Sequence, residues 1–276
     1  MPPRTNHYIG SAVPGIPAKL AVSPPRSFSR LPRHAHDPLI ASAGMAARTA
    51  VAAFRGFDRD AMQFWHELAS EMSKEWFVAN KQRYQTVWVE PMLTLLREVA
   101  RRLAPAYRPI ALGEPGVLRI YRDLRFSRDR APYKTHIAGL IRLAGDAIAE
   151  AGNAALYFQV GLDGEYAGVG CYRFDEARFT RWRRAVVGRP GQLLLRIIAG
   201  LRRKGYRAGG YETYARVPKG FAPDHPRAEL LKFKGLICRF PAMPAGLLRK
   251  PELARWLLGH ARAAAPLVVW LRRHLG

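Results

Sequence analysis

Cysteine is nearly absent from this sequence of 276 residues, which contains only Cys171 and Cys238. Two cysteines so far apart in the chain supply neither a disulfide framework nor the ligands of a structural zinc site. We therefore expect two reduced, partly buried thiols in a cytoplasmic protein.

Long apolar runs are also missing. The best candidate, Ala263 to Leu271, is too short to cross a membrane and is flanked by Arg262 and Arg272.

Acidic residues are scarce. The chain has 21 Asp and Glu residues against 45 Lys and Arg residues, which gives a formal net charge of +24. Only nine of the 45 basic residues are lysines, so GC-rich codon usage explains part of the arginine excess, but it does not explain the shortage of acids. A basic field of this size favours nucleic acid, anionic lipid or phosphorylated ligands as partners.

Well-known cofactor and catalytic motifs are missing too. The sequence has no Walker loop, no Gly-x-Ser-x-Gly elbow and no His/Asp/Glu spacing typical of a metal site. The glycines between Gly164 and Gly170 do not precede a helix in a βαβ setting, so they are not a dinucleotide fingerprint. We therefore predict no metal and no cofactor.

The first fifty residues differ in composition from the rest. Residues 1–50 are rich in Pro, Ser, Ala and Gly and show no helical or strand period. Pro14, Pro17, Lys19 and Pro24 interrupt the apolar stretch that a secretory signal would need, and the many prolines would spoil the helix of an organelle transit peptide. We expect a disordered leader, or a gene start placed upstream of translation from Met45. Residues 51–276 are predicted to form one domain.

Apolar residues recur at helical spacing at both ends of the predicted domain. Asp58 is a candidate helix cap, and Pro91 is expected to break or kink the second helical stretch. Pro251 and Pro266 each stand where a helix could begin. The segments with helical spacing run from Met62 to Met72, Trp76 to Leu103, Asp175 to Val187, Gln192 to Arg203 and Leu253 to Leu275.

The middle of the chain indicates strands. Asp163-Gly164 is a turn signal between two alternating segments, so Leu156–Leu162 and Tyr166–Tyr172 are predicted to pair as a hairpin. The other candidate strands are Val117 to Tyr121, Ile137 to Leu143, Tyr206 to Val217 and Leu236 to Phe240. Helices, then antiparallel strands, then helices favour an α+β fold with a largely antiparallel central sheet flanked by N-terminal and C-terminal helices.

The segment from Arg119 to Thr135, RIYRDLRFSRDRAPYKT, combines more charged and aromatic side chains than any other segment, and we call it the central motif. Arginine guanidinium groups bind phosphate or carboxylate bidentately. An aspartate among them can orient a guanidinium group or act as a general base. Tyr133 could stack on a nucleobase or another ring. The candidate anion ligands are Arg119, Arg122, Asp123, Arg125, Asp129, Arg130, Tyr133 and Lys134. The alternative is an ion-pair lattice, in which Arg122–Asp123 and Asp129–Arg130 tie a loop to the helices.

Four residues outside the central motif are possible second contributors. Asn80 and Lys81 could face the motif, although a solvated helix face explains them equally well. His225, in the segment that follows Lys219, could act as an acid or base near the site. It could instead cap a helix or bond a loop. His136, which follows the central motif, is open to the same two interpretations.

Three segments carry a resemblance to a known family: EWFVANKQRY at Glu75–Tyr84, the central motif, and VPKGFAPDHPRAELLKFKG at Val217–Gly235. The chain resembles the domain-of-unknown-function 2461 family, conserved hypothetical proteins found mainly in bacteria, from about Phe54 to its end. The resemblance implies a single α+β domain and brings no established activity. The chain departs from many relatives at Glu71–Ser73, where they have an asparagine pair, and at Arg128 and Arg130, where they often have lysines.

Three functions are consistent with these features. The first is a binding protein or enzyme for a phosphorylated or carboxylated small molecule, held by the arginine cluster. The second is a nucleic-acid-binding protein that uses the broad positive field without reading sequence. The third is a structural or interaction domain in which the motif only stabilises the fold. We favour the first, and the sequence does not identify a reaction.

Overall fold

A six-stranded antiparallel sheet forms the centre of the fold. The computed structural model of the protein describes residues 53–122, 130–145 and 153–276, so the predicted leader lies outside the described residues. The strand order is β1-β2-β3-β4-β6-β5, and each neighbouring pair is antiparallel. The strands are β1 Gly116–Val117, β2 His136–Arg142, β3 Asn153–Gly161, β4 Gly164–Cys171, β5 Arg207–Gly209 and β6 Leu236–Arg239.

Helices from both ends of the domain pack on this sheet, which confirms the predicted α+β fold. Helix α3 lies against β2, and the long C-terminal helix α7 crosses β3 and β4. The helices are α1 Ala61–Glu71, α2 Lys74–Tyr84, α3 Glu90–Leu103, α4 Glu176–Val187, α5 Arg189–Arg203, α6 Ala228–Leu231 and α7 Glu252–Leu275.

The contact between β2 and α3 is close because β2 presents a glycine to the helix. A Cβ atom built on Gly139 would lie 2.6 Å from Leu96 Cδ1 and 3.0 Å from Met92 Cγ, so no larger side chain fits there without movement. Leu96 and Met92 are fully buried at this contact. The packing fixes the position of β2, which follows directly on the central motif.

The two prolines that lie within helical stretches have different outcomes. Pro91 was expected to break or kink its stretch, and the α-helix is interrupted just before it by a π-helical turn, Gln85–Val89, which joins α2 to α3. Pro266 lies inside α7, so the prediction that a helix starts there is wrong, whereas Pro251 does stand at the start of α7. Buried neighbours such as Leu267 and Val268 offset the hydrogen bond lost at Pro266.

The predicted hairpin is present with its turn displaced by one residue. Strands β3 and β4 are joined by Leu162 and Asp163, and Gly164 begins β4 opposite Gly161. Gly164 has φ of +93°, a conformation that favours glycine, which is why the Asp-Gly signal located the turn.

Two predicted strands are shorter in the structure than in the sequence analysis. Strand β1 ends at Val117. Beyond it, the Leu118 N–H still donates to the Ala138 carbonyl at 2.8 Å, and Tyr121 and Tyr133 form an isolated bridge. Strand β5 covers three residues of the predicted segment Tyr206–Val217, which then makes only the isolated bridge Thr213–Phe233. Both segments are irregular where they leave the sheet.

The predicted cap of the first helix differs from the structure. Asp60, not Asp58, stands at the N-cap of α1, and the Asp58 carboxylate accepts a hydrogen bond from the Asp60 N–H at 2.7 Å. The short helix α6 begins at Ala228 without a side-chain cap. Asp175 caps α4, because its carboxylate accepts from the Arg178 N–H at 2.7 Å.

Cys171 and Cys238 are buried and form no disulfide, as expected of the thiols, while the compartment stays a prediction. Burial raises the pKa of the Cys238 thiol to about 12, so it is protonated at neutral pH. Among the described residues, no helix combines the length and the hydropathy that a membrane crossing needs.

Candidate anion-binding site

The described parts of the central motif form two antiparallel arms, residues 119–122 and 130–135. The Lys134 N–H donates to the Ile120 carbonyl and the Arg122 N–H donates to the Pro132 carbonyl, both at 2.8 Å. The chain therefore turns back on itself between the arms. Three predicted ligands, Asp123, Arg125 and Asp129, lie outside the described residues.

Aromatic side chains attach the arms to helix α2. The Tyr133 ring lies 4.6 Å from the Phe77 ring and 5.4 Å from the Tyr121 ring, measured between centroids. Tyr133 is only 3% exposed, so it packs in the core and does not offer a face for ligand stacking as the sequence suggested. Tyr121, at 49% exposed, is the described aromatic residue of the motif that reaches solvent. Burial, followed by Tyr121 and Glu75, raises the pKa of Tyr133.

Two cations of the motif lie near one imidazole. Burial lowers the pKa of His136 to about 3, and the positive charges of Lys134 and Arg122 lower it further in that direction. Lys134 and His136 are two residues apart on one extended segment, so their side chains leave the same face. His136 is therefore neutral at pH 7 and marks a local positive potential.

A hydrogen bond across the arms helps to place Lys134. Its Nζ donates to the Arg119 carbonyl oxygen at 2.9 Å, which joins the second arm to the first. Arg119 is half-buried, with its Nε inaccessible to solvent, whereas Arg130 is exposed at the start of the second arm. Of the predicted basic ligands that the structure describes, Arg119, Arg122 and Lys134 are thus half-buried and Arg130 is not.

The four predicted second contributors are not brought to the motif. The Asn80 amide donates to the Trp76 carbonyl at 2.9 Å within its own helix, and Lys81 is exposed on the same helix. Lys219 is exposed in a loop. His225 Nδ1 accepts from the Arg227 N–H at 3.0 Å, which is the loop-bonding role that the sequence left open. No hydrogen bond, ion pair or ring contact joins these four residues to the described arms.

His136 is the residue that our sequence analysis left out of the candidate ligands. Its distance from Lys134 in the chain, two residues on an extended segment, was the available signal. Its proximity to Arg122 could not be read from the sequence, because it depends on the pairing of the two arms. Its Nδ1 is buried and has no hydrogen-bond partner in the described ranges.

Residues 60–270 match the family described as "Conserved hypothetical protein (DUF2461)". The chain belongs to the DUF2461 family. The match covers well over half of the chain, including the central motif and most of α7, and confirms the family resemblance seen in the sequence. No curated protein and no solved structure matches this DUF2461 chain.

A metal centre is not apparent in the described part of this DUF2461 domain. No group of three or more His, Cys, Asp or Glu side chains lies close enough together there to hold an ion.

Proposed function

We propose that this DUF2461 domain binds a phosphorylated or carboxylated small molecule at the cationic arms of its central motif. The proposal is supported by the pairing of the two arms, in which the Arg122 N–H donates to the Pro132 carbonyl and the Lys134 N–H donates to the Ile120 carbonyl. Burial lowers the pKa of the neighbouring His136, and the charges of Lys134 and Arg122 lower it in the same direction. Both side chains are half-buried, so solvent screens them less than it would on an open surface.

The chemistry of the cluster suits an oxyanion. The Arg122 guanidinium offers a planar fork to two oxygens, the Lys134 ammonium is a compact positive charge, and a neutral His136 can donate or accept a hydrogen bond. Binding is the proposed activity, and no residue is assigned to a chemical step.

Thermal unfolding with inorganic phosphate tests this proposal. Phosphate should raise the Tm, and at about a hundredfold excess over the Kd the stabilisation is about 2.7 kcal/mol. Arg122→Ala and Lys134→Ala should each remove most of the shift. Lys81→Ala, which removes an exposed cation from α2, should keep it. A shift that survives both motif substitutions would place the site elsewhere, and no shift in the unmodified protein would reject the proposal.

Non-specific nucleic acid is the second candidate ligand, and the net charge of +24 favours it. Such binding would neutralise phosphates without reading bases, so its affinity should fall steeply with salt and be indifferent to sequence. Filter binding of two unrelated duplexes at several salt concentrations separates the two candidates. Salt-insensitive or sequence-dependent binding would contradict a purely electrostatic mode.

A further inference from the structure

A cavity of about 260 Å³ opens at the end of the sheet, where β6 leaves it. Its lining includes Glu165 near the start of β4, Phe240 directly after β6 and Trp256 on α7. A cavity that combines ring walls with few polar groups is the usual form of a small-molecule site. None of these residues belongs to the central motif, so the cavity is independent of the function proposed above.

Strand register places Glu165 and the rings on the same face of the sheet. Phe240 lies beside Ala167, because the Phe240 N–H donates to the Ala167 carbonyl at 2.9 Å. Ala167 is two residues from Glu165 on β4, and side chains two residues apart on a strand share a face. Phe158, which pairs with Ala167 from β3, extends the same wall. Helix α7, which carries Trp256, packs on this face.

Two arginines also line the cavity, but their side chains point to the opposite face. Tyr166 follows Glu165 on β4 and therefore points away from α7. The Arg239 guanidinium lies over the Tyr166 ring, 5.0 Å from its centroid. Arg207 pairs in register with Arg239, so it shares that face. Among the described lining residues, Glu165 is thus the charged side chain on the α7 face.

The Glu165 carboxylate has no partner in the described ranges. It makes no ion pair or hydrogen bond there, although the chain has 45 basic residues and only 21 acidic ones. The residue is exposed at the cavity mouth, and partial burial of its carboxyl raises its pKa without an opposing effect from a cation. Since burial without a countercharge disfavours the ionised carboxylate, a cationic ligand would stabilise it.

The ring wall is held in place by its own contacts. Phe240 and Trp256 lie 6.2 Å apart between centroids, and His260 packs against both at 5.4 and 4.6 Å. The His260 Nδ1 is 2.7 Å from the Tyr206 hydroxyl, and burial lowers the His260 pKa, so the imidazole adds no charge at neutral pH. Trp256 is half-buried and offers ring surface to the cavity. Tryptophan is the best aromatic partner for a cation.

We propose that this cavity binds a small organic ammonium ion with an apolar body. The ammonium group donates a charge-assisted hydrogen bond to the Glu165 carboxylate, and the apolar body packs against Trp256 and Phe240. The net charge of +24 disfavours cations over the molecule as a whole, so the binding of such an ion depends on these local groups.

Calorimetric titration of the full chain with 2-phenylethylammonium tests the proposal, with 2-phenylethanol as the neutral match. At about pH 8 the carboxyl is ionised and the amine is protonated. The ammonium ion should bind at least about tenfold more tightly than the alcohol, since the charge-assisted hydrogen bond is lost with the alcohol.

Glu165→Gln keeps the size of the side chain and removes its charge. It should weaken binding of the ammonium ion about tenfold and remove the preference over the alcohol. Glu71→Gln, which neutralises an exposed carboxylate on α1, should leave binding unchanged, as should Arg122→Ala. Trp256→Leu should weaken binding about two- to fivefold, and Trp256→Phe should retain part of the affinity.

The Tm of each variant verifies that it is folded. The proposal is overturned if the ammonium ion does not bind at up to about 10 mM, if the alcohol binds equally well, or if folded Glu165→Gln binds the ion as tightly as the unmodified protein.

Discussion

At the scale of single residues, His136 is the most informative group in the molecule. Its imidazole is shielded from water and lies near two positive charges, so the folded protein strongly disfavours its protonation. The unfolded chain has no such restriction. This difference between the two states couples the charge of one ring to the stability of the whole domain.

His136 should make the domain less stable at acid pH. In the unfolded chain it takes up a proton near its ordinary pKa of 6.5, whereas in the folded protein it does so only near 3. Its contribution is therefore complete above pH 6.5 and is lost as pH falls toward 3, by at most about 1.4 kcal/mol per pH unit. Urea unfolding at neutral pH and about one unit below 6.5 measures the loss.

His136→Asn is the matched variant for this experiment. It keeps a polar side chain of similar reach and removes the titration, so its stability should fall less between the two pH values. His260 and His274 also have lowered pKa values, but they contribute to the pH dependence of stability in both the unmodified protein and His136→Asn. An equal loss of stability in the two proteins would contradict the assignment of the effect to His136.

At the scale of elements, the central motif depends on helix α2. The Phe77 ring is 3% exposed and contacts the rings of both Tyr133 and Tyr121. Through these contacts the helix holds the two arms in the positions that bring Arg122 and Lys134 toward His136. The aromatic contact is therefore the structural support of the proposed anion site.

Phe77→Ala should lower the free energy of unfolding by about 3–5 kcal/mol, the usual loss for a buried phenylalanine. Val78→Ala, at the next position, is the control. Val78 is 62% exposed, so its removal should change stability by at most about 0.5 kcal/mol. Chemical denaturation of both variants checks the prediction, and a small effect at Phe77 would show that the arms are anchored elsewhere.

Periodicity and turn chemistry were sufficient to predict most of these elements. The helical spacing identified α1, α4 and α7, and the Asp163-Gly164 signal located the β3–β4 hairpin. Pro91 does coincide with an interruption of the α-helix, the π-helical turn between α2 and α3. Pro266 was misleading, because extensive burial accommodates it inside α7, and local rules cannot anticipate a compensation that depends on tertiary packing.

The two candidate sites differ in how far the sequence could predict them. Charge density alone located the central motif, because its arginines are contiguous in the chain. The cavity beside Glu165 could not be predicted, since a long segment of the chain separates β4 from β6, which are neighbours in the sheet. Register across strands that are not consecutive is set by the fold.

At the scale of the whole molecule, we propose that residues 51–276 are one domain and that the leader contributes little to its stability. Residues 1–44 lack a helical or strand period in their sequence and have few apolar residues to bury. Their deletion should leave the Tm within about a few degrees. Calorimetry of the two proteins checks this, and a large fall in Tm or insolubility would show that the leader docks on the domain.

The basic character of the molecule bears on both candidate sites. With 45 basic and 21 acidic residues, the chain disfavours cations in general, so a cation at Glu165 must be held by local groups. A general positive field attracts anions of every kind. Specific binding must therefore be demonstrated at an identified residue, and His136 provides one beside the central motif.

An NMR titration of the His136 ring, with and without inorganic phosphate, tests the central proposal most directly. The His136→Asn spectrum assigns the resonance. In the free protein the ring should remain neutral at about pH 6, where an ordinary imidazole is largely protonated. Bound phosphate should offset the charges of Lys134 and Arg122 and raise the His136 pKa, and Arg122→Ala should abolish this response. A His136 pKa that is the same with and without phosphate, while phosphate still binds, would contradict the proposal.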